Sequence, residues 1–444
     1  MKKIFYGVLV MSIAFVSVVC GNNKTAATAQ NDLAASQPGE SKNESKIEPT
    51  GMIAYIRNGS EIRLIDSNGQ NDRQLWTHPN AIEPLGLFDL AWKPDGKELA
   101  FSSAHESSTS LYHADIFGIR PDGTGFRKIT NSPDHKSFSK YKKGSVTITV
   151  KNYQYSFDPA QSSAGVFILN IFGAAEPQQI TLPPGASKTF VFKDVADFGD
   201  MVQPIIAVYG NYRWYMPGTD VVTGKNIKAP DMIISGDGYP YFGAFRPVWK
   251  NDGSMISYRD GLCEVKTIPV HPKEGLFYYQ PLFGDDAPGG TCVWDLGPTP
   301  AMADQVIYTE NESEDGSGIY IMKLGEKHKP ASRLTLFIDV RYQIAHDLRW
   351  LPDGSGFLYC ATNLMADASN VFHYDMRTRQ TRQVTNLQGS FARRFTISPS
   401  GQWIVYEKCK TPDDYVDVDL VMIRTDGSGE KLLVKNGLAP SWSK

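Results

Sequence analysis

Ala91-Trp92-Lys93-Pro94-Asp95-Gly96, followed at once by the strand-like Glu98-Leu99-Ala100-Phe101-Ser102, is the stretch that decides the fold. It recurs along the chain. Val248-Trp249-Lys250-Asn251-Asp252-Gly253 opens a second unit, and Arg349-Trp350-Leu351-Pro352-Asp353-Gly354 opens a third before Phe357-Leu358-Tyr359. Thr396-Ile397-Ser398-Pro399-Ser400-Gly401 keeps the pattern with Ile in place of Trp. A degenerate copy centred on Thr299 is aligned through Val306-Ile307-Tyr308. Pro440-Ser441-Trp442-Ser443-Lys444 is a bare motif with no unit behind it, and Met52-Ile53-Ala54-Tyr55 begins a unit with no motif before it. The C-terminal strand is therefore expected to complete the first unit, which ties the ends of a ring together.

From Trp249 onward the copies recur at roughly 45–51 residues, the span of a four-stranded propeller blade. A second signature follows in each unit: an outer strand, an Asx-Gly turn, then a basic-apolar strand. Ile116-Phe117-Gly118-Ile119, Asp122-Gly123 and Arg127-Lys128-Ile129-Thr130 are one example, and Val421-Met422-Ile423, Asp426-Gly427 and Lys431-Leu432-Leu433 another. Asx-Gly supplies the positive backbone angles that a tight hairpin requires. The count predicts an all-β chain with six blades. The step from Trp92 to Trp249 is about 105 residues too long for one blade. The excess has its own strand pattern at 145–150, 165–172, 179–182, 189–192 and 202–209, with Leu182-Pro183-Pro184-Gly185-Ala186-Ser187 as a turn. It reads as an inserted β-sandwich of immunoglobulin-like type.

Lys2 and Lys3 precede an apolar run at 4–19, shorter than the ~20 residues of a membrane span, that ends at Cys20. This is similar to a bacterial lipoprotein signal, in which the cysteine carries the lipid, although Val19 stands where a small residue is usual. The expected organisation is a signal at 1–20, a disordered Asn/Ala/Ser/Gln/Lys-rich tether at 21–49, blades one and two at 50–133, the insert at 134–238, and blades three to six with the closing strand at 239–444. The net charge of -3 argues against a nucleic-acid partner, whose phosphates call for a basic surface. Beyond Cys20, Cys263, Cys292, Cys360 and Cys409 could make two disulfides in an exported chain or serve equally as small buried thiols. The absence of a Cys-x-x-Cys leaves no support for a zinc ribbon.

The Trp-x-Pro-Asp-Gly start, the Asx-Gly turn and the strands Arg127-Lys128-Ile129-Thr130, Arg333-Leu334-Thr335 and Arg382-Gln383-Val384-Thr385 resemble the TolB-type propeller repeat, also called PD40 or WD40-like. The resemblance covers 52–444 apart from the insert. It implies a six-bladed envelope propeller, closed by the C-terminal strand, that binds a partner across its open face. That partner would be an envelope protein or peptide, such as a peptidoglycan-associated lipoprotein, with the membrane reached through the N-terminal lipid. TolB itself carries an α/β domain before its propeller, where this chain has the 21–48 tether.

Residues entering each inner strand should rim the central channel. Counting three and four back from the motif centres gives Asp89, Arg246, Asp295, His346, Asp347, Arg393 and Arg394. Such a cluster reads either as a polar site, its arginines gripping an anionic ligand, or as a solvated funnel of ion pairs. On both readings these rim charges would contribute little to stability. The competing class is a propeller enzyme, a lyase or hydrolase acting on envelope or extracellular polysaccharide. A metal lyase would want several channel histidines, and only His346 falls at the mouth; no Gly-x-Ser-x-Gly elbow is found for a prolyl-peptidase reading. No catalytic residue, metal or cofactor is therefore expected. The insert's Tyr209, Tyr212, Trp214 and Tyr215 read as core or as an aromatic anchor for a ligand.

Overall fold

The computed structural model describes residues 48–443 except 80–85, 107–113, 131–139, 154–164, 175, 200–202, 210–211, 236–242, 261–263, 271–279, 284–292, 313–315, 327–332, 337–342, 364–367 and 412–414. The signal, Cys20 and the tether up to residue 47 lie outside the described residues, as do Cys263 and Cys292. Among the described residues the chain is all-β, with a short 3-10 turn at Pro300–Met302.

The motif units become four-stranded antiparallel sheets, each laid down in chain order from an inner to an outer strand. The inner strands are Leu87–Trp92, Phe245–Trp249, Trp294–Leu296, Gln343–Trp350 and Phe391–Ile397. The first sheet differs: its three outer strands come from Met52–Arg57, Glu61–Asp66 and Arg73–Thr77, and its inner strand is Gly437–Trp442. Ile53 faces Trp442 and Ile56 faces Leu438 in that antiparallel pair. The last two sheets are joined through one parallel pairing, Ser369 opposite Phe391.

Side chains alternate between the two faces of each strand, and strands such as Leu99–Ser103, Asp115–Ile119 and Gly437–Trp442 are buried on both, so the sheets pack against their neighbours on either side. Each seam has its own apolar core. Ala100 and Ile116 meet Trp249 and Ile256; Val248 and Val265 meet Trp294 and Tyr308; Ile307 and Ile319 meet Trp350 and Phe357. Leu358 and Cys360 meet Phe395 and Ile404, Trp403 and Val405 meet Ile53 and Trp442, and Ala54 and Ile56 meet Trp92 and Leu99. The inner strands neighbour one another in the same order, and Gly437–Trp442 lies beside both Phe391–Ile397 and Leu87–Trp92. Radially stacked four-stranded sheets of this kind are a β-propeller.

The motif's turn has a simple cause. Gly96, Gly253, Gly354 and Gly401 all take positive φ, between 69° and 75°. The preceding Asp95, Asp252 and Asp353 accept the N–H two residues on, at 2.9–3.0 Å. Asp-Gly is thus the pair that reverses the chain from inner to second strand.

Between Thr130 and Gly243 the chain forms two further sheets. One has Lys143–Asn152 between Ser187–Ala196 on one side and the parallel Asn226–Lys228 and Met232–Ile234 on the other. The other runs Gln178–Thr181, Val166–Ile171, Gln203–Tyr209, Tyr212–Thr219. Val146, Ile148 and Val150 from the first meet Leu169, Ile171 and Ile205 from the second. Trp214 belongs to this core, its indole donating to the Ser235 carbonyl at 3.0 Å, so it is no surface anchor.

The disulfide that the sequence allows between Cys360 and Cys409 is not made. Both residues are buried, and neither is in a disulfide. Cys409 instead faces the Phe391 carbonyl at 3.6 Å, and burial pushes the Cys360 thiol well above its ordinary pKa.

Candidate functional site

The inner strands carry a recurring irregularity. Register shifts fall between Leu87 and Leu90, Phe245 and Val248, Ala345 and Asp347, and Arg393 and Phe395. At this bulge Arg246, Arg394 and Ala439 take φ of 53°, 32° and 49°. Bulges re-aim side chains, and here they turn the residue three before the motif centre toward the axis.

Four of the expected residues meet there. Asp89, Arg246, Asp347 and Arg394, with Arg349, line a narrow constriction. They form a chain of alternating charge. Arg394 lies 3.6 Å from Asp89, which accepts the Arg246 N–H at 2.9 Å. The Arg246 guanidinium donates to Asp347 at 2.5 Å, and Arg349 lies 3.6 Å from Asp347 and 3.9 Å from Asp295. Asp347 also accepts the N–H of Leu348 at 2.9 Å and of Phe395 in the next sheet at 3.0 Å. Burial pushes the Asp347 carboxyl up, but Arg246, Arg349 and the Phe395 N–H outweigh it and hold the pKa below the ordinary value. The constriction is a clasp between sheets whose charges pair with one another, although the Arg246 Nε is left without an acceptor.

The others are placed differently. Arg393 turns onto Glu407, its Nε donating at 2.7 Å, with its guanidinium 4.7 Å from the centre of the Tyr415 ring. Glu407 is fully buried and also accepts the Ala439 N–H at 2.6 Å. Arg393 is therefore a structural ion pair and not a rim charge. His346 lies on Gln343–Trp350, but its side chain is outside the described residues.

Asp295 is in the channel for another reason than the count implies. Leu296 pairs with Val306, as Trp350 pairs with Phe357 and Trp249 with Ile256. The degenerate motif is thus centred on Leu296-Gly297-Pro298, three residues before Thr299, because Pro298-Thr299-Pro300 replaces the Pro-Asp-Gly turn that anchors the other copies. Asp295 stands one residue before that centre. There it accepts the Trp350 N–H at 2.8 Å, just as Ser441 accepts the Trp92 N–H at 3.1 Å and Thr396 the Trp442 N–H at 2.9 Å. Desolvation raises the Asp295 pKa to about 6, against the opposing pull of Arg349.

Beyond the constriction, on the motif side, the channel widens into a cavity of about 230 Å³. Its wall includes Trp92, Trp249, Trp350 and Trp442, one from each of four sheets, with Asp295 and Arg349 between them. The indoles of Trp92, Trp249 and Trp442 donate to the carbonyls of Ser441, Ala91 and Thr50 at 2.8–3.0 Å. The indole of Trp350, with 4% of the residue exposed, has no acceptor in the protein. Nor has the side-chain amide of Asn251, which lines the same cavity. A buried donor left unpaired costs about 1–3 kcal/mol, and both nitrogens are themselves closed off from solvent.

Arg349, Asn251 and the Trp350 indole were not among the residues counted from the motif. The signal that finds them is departure from the repeat. Asn251 stands where the other copies have Pro94, Pro298, Pro352 and Pro399. Asp295 and Arg349 stand where the others have Ala91, Val248, Thr396 and Ser441. Among the described residues no group of three or more His, Cys, Asp or Glu side chains is gathered as a metal site.

No family model matches the sequence, and no curated protein does. In structure the chain is similar to TolB from Acinetobacter baumannii, at 13% identity and a TM-score of 0.49, over 89% of this chain and 67% of that one. It is similar to a putative TolB from Agrobacterium tumefaciens at 12% identity and a TM-score of 0.42, over 87% of this chain and 89% of that one. The β-propeller domain of the Trilobed protease from Pyrococcus furiosus is similar at 10% identity and a TM-score of 0.36, over 87% of this chain and 97% of that domain. What these proteins have in common with this chain is the fold, a β-propeller already evident from the order of the sheets.

Proposed function

We propose that this chain is an exported, envelope-held, six-bladed propeller that binds a partner protein or peptide at the motif end of its channel and performs no catalysis. The inserted two-sheet body is read as an immunoglobulin-like domain occupying the connection between the second and third blades. The N-terminal sequence supports export, with Cys20 as the lipid-bearing residue. The observation that carries the binding reading is the cavity of about 230 Å³ at the motif end of the channel, walled by Trp92, Trp249, Trp350 and Trp442 with Lys93, Asp295 and Arg349 among them. A ring closed by its own C-terminal strand supplies a rigid frame, which lowers the ordering cost of binding.

The test is site-specific photocrosslinking in envelope membranes. A crosslinker at Lys93, on the cavity rim, should capture a partner, while one at Leu432, an exposed outer-strand residue, should not. Capture at Leu432 alone, or turnover of an envelope polysaccharide by the purified protein, would overturn the reading. Cys20→Ala should release the protein from the membrane fraction; retention there would argue for an uncleaved N-terminal anchor.

A further inference from the structure

We propose that acid unlatches the outer part of the seam between the first and second sheets, with His105 taking the proton. The seam's apolar core ends there in an aromatic cluster that the two sheets share. Trp76, on the outermost strand of the first sheet, lies against Phe101, Phe126 and His105 of the second, with ring centres 5.0–5.8 Å apart. His78, just past the same strand, has its ring 5.9 Å from that of His105 and 6.1 Å from that of Trp76. Phe117 packs on His105 at 4.3 Å. The two imidazoles therefore meet across the seam, one from each sheet. Arg73–Thr77 is the edge strand of the first sheet, so it can lift away while the inner pairings stay.

Burial makes this a place for neutral rings. His78 is buried, and the His105 side chain is 8% exposed. The titratable groups that face His105 are Glu106 beside it, Asp115 and Lys128 from the outer strands of the second sheet, and His78 from the first. The two carboxylates favour a cation, but Lys128 already lies between them, 2.9 Å from Glu106 and 3.1 Å from Asp115. Desolvation, helped by His78 and Lys128, outweighs the carboxylates and lowers the His105 pKa to about 4. A ring whose pKa is depressed by packing contributes stability that is present above its ordinary 6.5 and lost as pH falls through about 4. The proton thus favours the unlatched seam, by about a hundredfold at pH 4.

The test reads the proton and the seam separately in the purified protein. In 15N-histidine-labelled protein, assigned with His105→Gln, His105 should titrate near 4 and not at its ordinary 6.5. In 5-fluorotryptophan-labelled protein, assigned with Trp76→Phe and Trp294→Phe, the 19F line of Trp76 should move between pH 6.5 and 4 and become sensitive to exchange of H2O for D2O. Trp294, buried in the seam between the third and fourth sheets, should keep its line over the same range. His105→Gln, neutral at every pH, should abolish the Trp76 response. A His105 that titrates at 6.5 or above would overturn the proposal, as would a Trp76 line that stays still while His105 protonates. So would Trp76 and Trp294 moving together, which is acid unfolding of the whole ring, or a Trp76 response that survives in His105→Gln. If His105→Gln does not fold, the two wild-type titrations decide alone.

Discussion

The two parts of the channel differ in size and in how their charges are paired. In the constriction three arginines and two aspartates, Arg246, Arg349, Arg394, Asp89 and Asp347, are held against one another and the backbone N–H groups of neighbouring sheets, with the Arg246 Nε left without an acceptor. The wider part is a cavity of about 230 Å³, with four tryptophans in its wall and Lys93, Asp295 and Arg349 between them. A dense charge cluster is thus the frame, and the wider part is where room is left. Charge alone is a poor guide to a site when the same charges can hold sheets together.

The largest test removes a wall that both parts share. Deleting Gly437–Trp442 takes away the inner strand of the first sheet, and the remaining chain should lose its cooperative thermal transition. Trp442→Ala alone should cost about 3–5 kcal/mol in urea unfolding, since Trp442 is buried in the seam between the last and first sheets. A truncated chain that melts like the whole would break the ring.

Next come the buried ion pairs. Asp347→Ala leaves Arg246 without its carboxylate, and Arg393→Ala leaves Glu407 buried without its guanidinium. Each should cost about 3–5 kcal/mol. Arg394 is a third exposed, and Arg394→Ala should cost about 1 kcal/mol or less. Equal effects for Arg393 and Arg394 would show that the pair does act as a common rim.

A smaller effect separates the two aspartates by pH. The raised Asp295 pKa means a stability contribution fully present below its ordinary pKa of 3.8 and lost as pH rises through about 6. Asp347, held low, contributes the opposite way: its stabilisation is present above the ordinary value and lost as pH falls through its folded pKa. Asp295→Asn keeps an acceptor for the Trp350 N–H. Between pH 4 and 7 its stability relative to the wild type should therefore rise by up to about 3 kcal/mol. A flat difference across that window would mean that Asp295 is solvated like a surface carboxylate.

Most of the fold is legible in the sequence because the Pro-Asp-Gly turn and the alternation that follows it are local and repeated. Trp92, Trp249, Trp350 and Ile397 mark their strands directly. Trp442 marks the closing strand because Ile53 lacks a motif of its own. Leu296 is missed because Pro298-Thr299-Pro300 hides the turn, and a three-residue slip follows. The site is less legible. Arg393 and Arg394 are adjacent, and only the bulge between Arg393 and Phe395 decides which one faces the channel. Glu407, the partner of Arg393, comes from the second strand, where counting along inner strands never looks. Arg349 and Asn251 are visible only once the six copies are set in true register.

The central claim is that the partner is held by the wide, motif-end part of the channel and not by the charge clasp. The most direct measurement compares the affinity of the captured partner for Lys93→Glu and Arg394→Ala proteins of matched thermal stability. Binding weakened about tenfold by Lys93→Glu and nearly unchanged by Arg394→Ala is the result expected. Binding that survives Lys93→Glu and fails with Arg394→Ala would contradict the account.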